Sequence, residues 1–201
     1  MSSEIKVTNI KHASSGSNNL VLGSDGSTTI ANGTLSAGTI GSSVTGYTGI
    51  KAFQQFRLTS SIDNVSSETD VTSNITEVSG GLNSNINQAS GIFTFDLSGI
   101  YWVIGNFTFT YDNESRYNYG YINADSGSGY VRVATAITNR FDASVANVES
   151  GNTCNFLFNV TTTGASGHKI KFSFQSEDTS NLQGNSSENR TYFTFLRIGD
   201  T

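Results

Sequence analysis

The chain has 201 residues and a formal net charge of −5, and its 11 Lys and Arg residues are scattered, so no basic face for nucleic acid is predicted. Nearly half of the residues are Ser, Thr, Asn or Gly, which disfavour helix interiors, and no apolar run approaches the roughly 20 residues that span a bilayer. We therefore expect an almost entirely β-structured protein that neither binds nucleic acid nor inserts into a membrane.

Residues 1–48 are predicted to form a separate N-terminal region. They contain no Phe or Trp, and single β-branched residues or Leu recur at short intervals between Ser- and Gly-rich clusters. These isolated apolar residues are too few to form a core within one chain, but three chains wound together would bury them on a common axis. We interpret the region as a short β-structured trimeric shaft, with a disordered tail as the alternative.

The start of the chain and its cysteine content indicate where the protein is made. Residues 1–6 lack the apolar core of a secretory signal. The single cysteine, Cys154, cannot form an internal disulfide. We therefore expect a chain made in the cytoplasm and not processed.

Residues 49–201 are rich in aromatic residues and alternate apolar with polar side chains, as half-buried strands do. Phe53 and Phe56 are the predicted inward side chains of the first strand, and Ile170, Phe172 and Phe174 share one face of a late strand. This many short strands predict an antiparallel sandwich or jelly roll. The predicted strands are 51–58, 74–78, 92–97, 100–110, 117–123, 130–138, 154–160, 169–175 and 192–198.

Three places in this region resemble the heads of complement component 1q and tumour-necrosis-factor-like proteins. Phe53 opens the domain, and Gly91, Phe93, Gly99 and Tyr101 match the signature G-x-F-x-x-x-x-x-G-x-Y. Residues 192–196, Tyr-Phe-Thr-Phe-Leu, are similar to the closing strand F-x-G-F-L, with Thr in the place of Gly. The Gly-Asp turn usual before the penultimate strand is replaced by Ser-Gly-His at residues 166–168. The resemblance implies a jelly-roll head over residues 49–201.

The N-terminal region is similar to the opening of short fibre proteins of tailed bacteriophages. The resemblance is carried by residues 5–11, by Leu-Val-Leu at 20–22 and by Asp-Gly-Ser at 25–27. Together the two resemblances imply a homotrimeric tail fibre located in the virion and made in the host cytoplasm. Its N-terminal region would attach to another virion protein, and its head would bind a host surface glycan or protein. The alternative is a capsid decoration or head-fibre protein without a dedicated receptor.

Catalysis is not expected, and no cofactor or metal site is predicted. His12 and His168 lie near neither a nucleophile elbow nor a metalloprotease motif. Cys154 lies in an alternating strand, where we interpret it as a buried structural thiol rather than a nucleophile. The adjacent carboxylates Glu177 and Asp178 are interpreted as a solvated loop pair rather than the catalytic pair of a glycosidase. The alternative is that they bind a hard cation, although the sequence around them matches no cation-binding loop pattern.

Binding of a ligand at the surface has better support in the sequence than catalysis has. Tyr117, Tyr119 and Tyr121 alternate, so their rings should share one face of a sheet, with Arg116 just before them. A ring face can stack on a sugar, and the Arg fork can bind anionic groups. The alternative is that these tyrosines line the core or a trimer interface.

The family resemblance also implies which end of the head meets the host. Both termini would lie at the base, and the connections 111–116, 139–152 and 176–189 would form the opposite end. We therefore predict a receptor-binding site in these connections. Its candidate residues are Tyr111, Arg116, Tyr117, Arg140, Glu177, Asp178, Asn181 and Arg190.

Overall fold

The computed structural model describes residues 9–10, 20–22, 24, 28–30, 50, 52–111, 115–140 and 148–201. The chain forms two compact units, residues 1–47 and residues 48–201. In the first unit three short strands pair antiparallel in chain order: β1 (Asn9–Ile10), β2 (Leu20–Leu22) and β3 (Thr28–Ile30). The remainder of the predicted shaft lies outside the described residues.

The described part of the second unit is built from strands alone. They are β4 (Ala52–Leu58), β5 (Ile62–Val65), β6 (Thr69–Asp70), β7 (Ile75–Glu77), β8 (Ile86–Ala89), β9 (Ile92–Phe95), β10 (Gly99–Tyr111), β11 (Ser115–Asp125), β12 (Tyr130–Arg140), β13 (Val148–Val160), β14 (Lys169–Ser176), β15 (Ser180–Leu182) and β16 (Tyr192–Gly199). All nine strands predicted for this region are present. The all-β prediction is therefore confirmed for the part of the chain that the structure describes.

These strands form two antiparallel sheets that pack face to face. In the first, here called the β10 sheet, the order is β5-β15-β10-β16-β4-β7, and β13 pairs with the other edge of β10 from Gly99↔Val160 to Tyr111↔Val148. In the second, the β11 sheet, the order is β12-β11-β14-β9-β8, and β6 pairs with β14. The chain crosses repeatedly between the sheets, so the architecture is a jelly roll.

Phenylalanine rings fill the space between the two sheets. Phe93 lies at the centre, with ring centroids 5.0 to 5.4 Å from those of Phe56, Phe172 and Phe195. Phe172 of the β11 sheet stacks on Phe193 of the β10 sheet at 3.9 Å. Ile170, Phe172 and Phe174 all point into this core, as predicted. Edge-to-face and stacked contacts of this kind add to the stabilisation from burying apolar area.

The prediction that Phe53 and Phe56 both point inward is wrong. In β4 the buried positions are Ala52, Gln54, Phe56 and Leu58, and Phe53 lies on the outer face. Side chains three residues apart on a strand point to opposite faces, so both rings could not share the core. Gln54 takes the inward position and bonds across the sandwich: Oε1 accepts from the backbone N–H groups of residues 85 and 86, and Nε2 donates to the carbonyl of residue 86.

The structure explains why glycine occupies both Gly positions of the signature G-x-F-x-x-x-x-x-G-x-Y. Ser90 and Gly91 form the two-residue turn between β8 and β9, with φ of 48° and 78°. Positive φ at both central positions is the type I′ geometry, which suits the twist of a hairpin. A Cβ on Gly91 would lie 2.0 Å from the carbonyl oxygen of Val71, and one on Gly99 would lie 2.7 Å from the carbonyl oxygen of Gly199. Close backbone approach therefore excludes larger residues at both positions.

Candidate functional site

The strand registers bring the predicted receptor-binding connections to one end of the head. Ala52 pairs with Arg197 at the end where β16 finishes, which we call the base. At the opposite, distal end, β10 finishes at Tyr111 opposite Val148, and β11 begins at Ser115 opposite Arg140. The connection after β14 begins at the same end, because Asn118 pairs with Ser176. Residues 112–114 and 141–147 lie outside the described residues.

Arg116 and Glu177 form an ion pair at the distal end. The backbone N–H of Arg116 donates to Oε2 of Glu177 at 2.7 Å, and the guanidinium donates to Oε1. The Glu177 N–H in turn donates to the carbonyl of Tyr117 at 3.1 Å. The hydrogen bond from the Arg116 side chain lowers the pKa of Glu177, so the carboxylate stays ionised. The Arg116 side chain is 80% exposed and that of Glu177 22%.

The three alternating tyrosines form a stacked row, here called the tyrosine ladder. Ring centroids are 4.8 Å apart between Tyr117 and Tyr119 and 5.6 Å apart between Tyr119 and Tyr121, with interplanar angles of 28° and 21°. The ladder lies on the outer face of the β11 sheet, since the residues between the tyrosines point into the sandwich, where Asn118 is fully buried. The tyrosines are thus outside the core of the sandwich.

Stacking determines which ring faces of the ladder are accessible. Both faces of Tyr119 contact another ring. The guanidinium carbon of Arg132 lies 3.6 Å from the ring centroid of Tyr121, which is only 3% exposed. Burial raises the pKa of the Tyr121 hydroxyl, which donates to Oε1 of Gln175 at 3.0 Å. The ring face of Tyr117 that is turned away from Tyr119, here called its distal ring face, is covered by no other ring of the ladder.

Charged side chains around the ladder are paired with one another. Arg132 donates to Glu68 at 2.7 Å, and this hydrogen bond lowers the pKa of Glu68. Lys171 contacts Asp70 at 2.7 Å and lies 4.8 Å from the ring centroid of Tyr130. Together with Arg116 and Glu177, these pairs leave the described part of this face without a concentration of one charge.

Three of the remaining predicted residues, Asp178, Asn181 and Arg190, make other contacts. Asp178 accepts from the N–H of the next residue. Asn181 pairs with Thr110 in the β10 sheet and accepts from the N–H of Asn64 at 2.9 Å, so it holds a turn. Arg190 pairs with two carboxylates, Glu149 and Glu188, and its carbonyl accepts from Asn106 and Thr108 of β10. For Tyr111 and Arg140 the structure describes only the strand positions.

A row of apolar side chains crosses the outer face of the β10 sheet. This row was not predicted from the sequence. Trp102 pairs with Leu157 on one side and Leu196 on the other, Leu196 pairs with Phe53, and Phe53 bridges to Leu82. Trp102 is 40% exposed and Leu157 60%. The signal was present in the sequence, because Trp102 lies between two core residues, Tyr101 and Val103, and must therefore point outward.

The apolar row continues around Leu157 to the edge of the sandwich. A groove of about 380 Å³ lies there between β12 and β13, and its apolar walls are Val131, Val133, Phe156 and Leu157. Val131 is exposed. The face and the edge together form one apolar surface.

Cys154 and His168, which lie in the described part of the chain, each have a structural environment. Burial raises the pKa of the Cys154 thiol to about 12, so it is protonated at neutral pH. The ring of His168 packs on Phe158, and its Nδ1 lies 3.2 Å from the carbonyl oxygen of Asn159. Within the described ranges no three His, Cys, Asp or Glu residues are grouped as a metal would require. The same ranges contain no helix of the length and apolarity needed to cross a membrane.

No family model and no curated protein matches the chain. Its fold is similar to solved structures of murine APRIL at pH 5.0 and pH 8.5, with TM-scores of 0.54 and 0.53, 11% identity, and coverage of 73% of this chain and 98% of those chains. It is also similar to Eiger TNF from S. frugiperda, with a TM-score of 0.52, 9% identity, and coverage of 76% and 96%. At such identities the likeness shows the fold alone. The predicted jelly-roll fold, similar to that of tumour-necrosis-factor-like proteins, is confirmed.

Proposed function

We propose that the chain is a homotrimeric bacteriophage tail fibre protein whose head binds a host surface. The observation that carries the proposal is the exposed apolar surface formed by the row on the β10 sheet and the adjoining edge groove. The sequence resemblance of residues 1–48 to fibre openings supports attachment of that region to another virion protein, and with it a location in the virion.

The apolar surface supports self-assembly. Large contiguous apolar patches are uncommon on monomers and mark association sites. Trp102 and Leu157 are central to this one, and Val131 extends it onto the edge. A surface that runs from a face to an adjacent edge suits a ring in which the edge of one copy packs on the face of the next, because such heterologous contacts close into rings. Three copies are what the family resemblance implies.

The location of the polar site supports a receptor-binding role. The tyrosine ladder and the pair of Arg116 and Glu177 lie on the β11 sheet, on the opposite side of the sandwich from the apolar row. A ring closed through the β10 sheet leaves that face exposed. The head can therefore assemble through one sheet and present the other to a host surface.

Native mass measurement of the full chain tests the assembly. We expect a species of three times 21.4 kDa. Leu157→Asp should give a folded monomer, because it places a charge in the centre of the apolar surface. The matched control is Leu97→Asp, which alters an exposed Leu outside that surface and should leave the trimer intact. A monomeric wild-type chain at micromolar concentration would contradict the proposal.

Two further measurements test the virion role. The purified full chain should compete with the parent phage for adsorption to its host bacteria, and no competition would exclude a receptor-binding head. Imaging of labelled protein on the particle should place it on the tail. Placement on the capsid, combined with no competition, would favour the decoration or head-fibre alternative.

A further inference from the structure

We infer that the tyrosine ladder ends in a binding site for a neutral oligosaccharide, formed by the distal ring face of Tyr117 together with the pair of Arg116 and Glu177. This inference rests on the proposed receptor-binding function and names its ligand class. The proposed ligand is a sugar chain, and the experiments below distinguish it from a protein receptor.

The ladder holds Tyr117 in a fixed orientation. Its ring stacks on Tyr119 at 4.8 Å, and Tyr119 stacks on Tyr121, which Arg132 covers from the far side. An aromatic ring held in this way loses little conformational freedom when a ligand binds. Tyr117 is also half-buried rather than fully buried, so its distal ring face offers a preorganised flat apolar surface of the kind on which a pyranose ring stacks.

The ion pair supplies polar groups next to that surface. Arg116 directly precedes Tyr117 on β11, and the Glu177 N–H donates to the Tyr117 carbonyl, so both residues adjoin Tyr117 at the distal end of the ladder. A guanidinium offers several N–H donors, and a carboxylate oxygen retains acceptor capacity after one hydrogen bond. Adjacent sugar hydroxyls, which both donate and accept, match this combination.

The charge balance of the face selects a neutral ligand. Arg116 pairs with Glu177, Arg132 with Glu68, and Lys171 with Asp70. An acidic polysaccharide would need cations that the protein leaves uncompensated, and these three cations are compensated. The ladder itself carries only uncharged polar groups, the hydroxyls of Tyr117 and Tyr119 being its polar groups nearest the distal end. These groups match a neutral sugar chain.

A protein receptor fits the same face less well. Stable protein interfaces bury about 800 Å² on each partner around an apolar centre. Among the described residues, the exposed large apolar side chains on this face are Ile137, which pairs with Tyr119, and Ile92, which pairs with Lys171. The larger apolar surface lies on the other sheet, where the assembly contact is proposed.

A panel of defined oligosaccharides tests the ligand class on the full chain. The neutral probes are hexasaccharides of β-1,3-glucan, α-1,4-glucan and α-mannan, and the acidic probes are hexasaccharides of alginate and hyaluronan. We expect saturation-transfer NMR to detect binding of a neutral probe and of neither acidic one. Binding to acidic probes alone, or to no neutral probe, would overturn the inference.

Two substitutions of the same residue separate ring stacking from other effects. Tyr117→Ala removes the ring and should weaken binding about tenfold or more. Tyr117→Phe keeps the ring face and should stay within about threefold of the wild type. Equal binding by all three proteins would overturn the site. Neither substitution touches the core, so far-UV circular dichroism should be unchanged.

Adsorption competition then distinguishes this inference from the proposed function. Wild-type chain should block phage adsorption, Tyr117→Ala should block it poorly, and periodate oxidation of the host surface should abolish chain binding. If wild type and Tyr117→Ala block equally, or if protease but not periodate removes binding, the oligosaccharide site is wrong and the receptor-binding function stands. If wild type does not block, the proposed function itself fails.

Discussion

The ring of Phe107 occupies the space in which a side chain of Gly120 would begin. Phe107 lies on β10 and Gly120 on β11, and a Cβ built on Gly120 would be 2.2 Å from Cδ2 of Phe107. The two sheets can therefore approach each other here only because residue 120 has no side chain. Tyr119 and Tyr121 flank this glycine, so the central part of the tyrosine ladder lies directly outside this contact between the sheets.

Gly120→Ala should destabilise the head by about 1 to 3 kcal/mol, the usual cost of overpacking a core. The matched control is Gly151→Ala in β13, where the nearest atom to a new Cβ would be a carbonyl oxygen at 3.5 Å, an ordinary contact. Urea unfolding of both variants measures the difference. Equal stability of the two variants would show that Phe107 moves aside without cost.

Phe93→Ala should be among the most damaging substitutions in the core. The side chain is fully buried among the rings of Phe56, Phe172 and Phe195, and removing a buried Phe costs about 3 to 5 kcal/mol. Ile92→Ala changes the neighbouring residue on the exposed face of the same strand and should cost clearly less. Thermal and urea unfolding check the order, and similar losses would contradict the assigned faces of β9.

Gln54→Leu should destabilise the fold although it adds an apolar side chain to the core. The substitution leaves two backbone N–H groups, of Asn85 and Ile86, and one carbonyl without the partner they have now. Each buried unsatisfied group costs about 1 to 3 kcal/mol. Gln55→Leu, on the outer face of β4, removes the bonds with Thr194 and Asn189 but leaves no backbone N–H group of the core without its partner, so it should cost less. Unfolding curves that rank the two variants in reverse would contradict this role of Gln54.

Alkylation of Cys154 should report unfolding of the head. The thiol pKa is raised from 9.0 to about 12 by burial, so at about pH 9 the native thiolate fraction is about a thousandth, against about half in the unfolded chain. Because the folded pKa is the higher one, the contribution of Cys154 to stability is complete below about pH 9 and is lost as the pH rises toward 12. Iodoacetamide labelling followed by mass spectrometry measures the rate. Fast labelling of the native protein would show that the thiol is accessible.

The affinity of the distal site for a neutral oligosaccharide should hardly change between about pH 8 and about pH 5. Its hydrogen bonds with Arg116 lower the pKa of Glu177 below the ordinary 4.5, so the pair persists above that pH and is lost only as the pH falls through the lowered value. Glu177→Gln cannot titrate at this position, so it should bind more weakly than the wild type and should lack the loss of affinity that the wild type shows below the lowered pKa of Glu177. NMR titrations of both proteins test this, and a wild-type loss centred near pH 6 would point to another group.

Much of the fold was predictable because apolar and polar side chains alternate with the period of two that a strand has, and because aromatic residues favour strands. Four short strands were not predicted: β5, β6, β8 and β15 have two to four residues each. Segments such as Ile62–Val65 contain too few apolar residues to show a period, and they become strands because longer neighbours offer them hydrogen-bond partners. The pairing of β13 with β10 along its whole length was likewise set by tertiary contacts.

The candidate site was predicted only in part. The sequence placed three tyrosines on one face with Arg116 just before them and gave Glu177 as a candidate, and the register of β11 and β14 then showed that Glu177 pairs with Arg116 from sixty-one residues away. The ring faces proposed for sugar stacking are mostly covered by the ladder itself, because rings on alternate strand positions stack on one another. Sequence spacing gives the shared face, but ring orientation depends on neighbours such as Arg132 and Gln175.

The sequence by itself determined that the chain forms alternating strands and which side chains of each strand share a face. Only the tertiary structure decided which of the two faces is buried. In β4 the buried face holds Gln54 and not Phe53, because bonds across the sandwich satisfy the amide while the ring joins an outer apolar row. The physical reason is that periodicity is a property of one strand, whereas burial depends on which other strands pack against it.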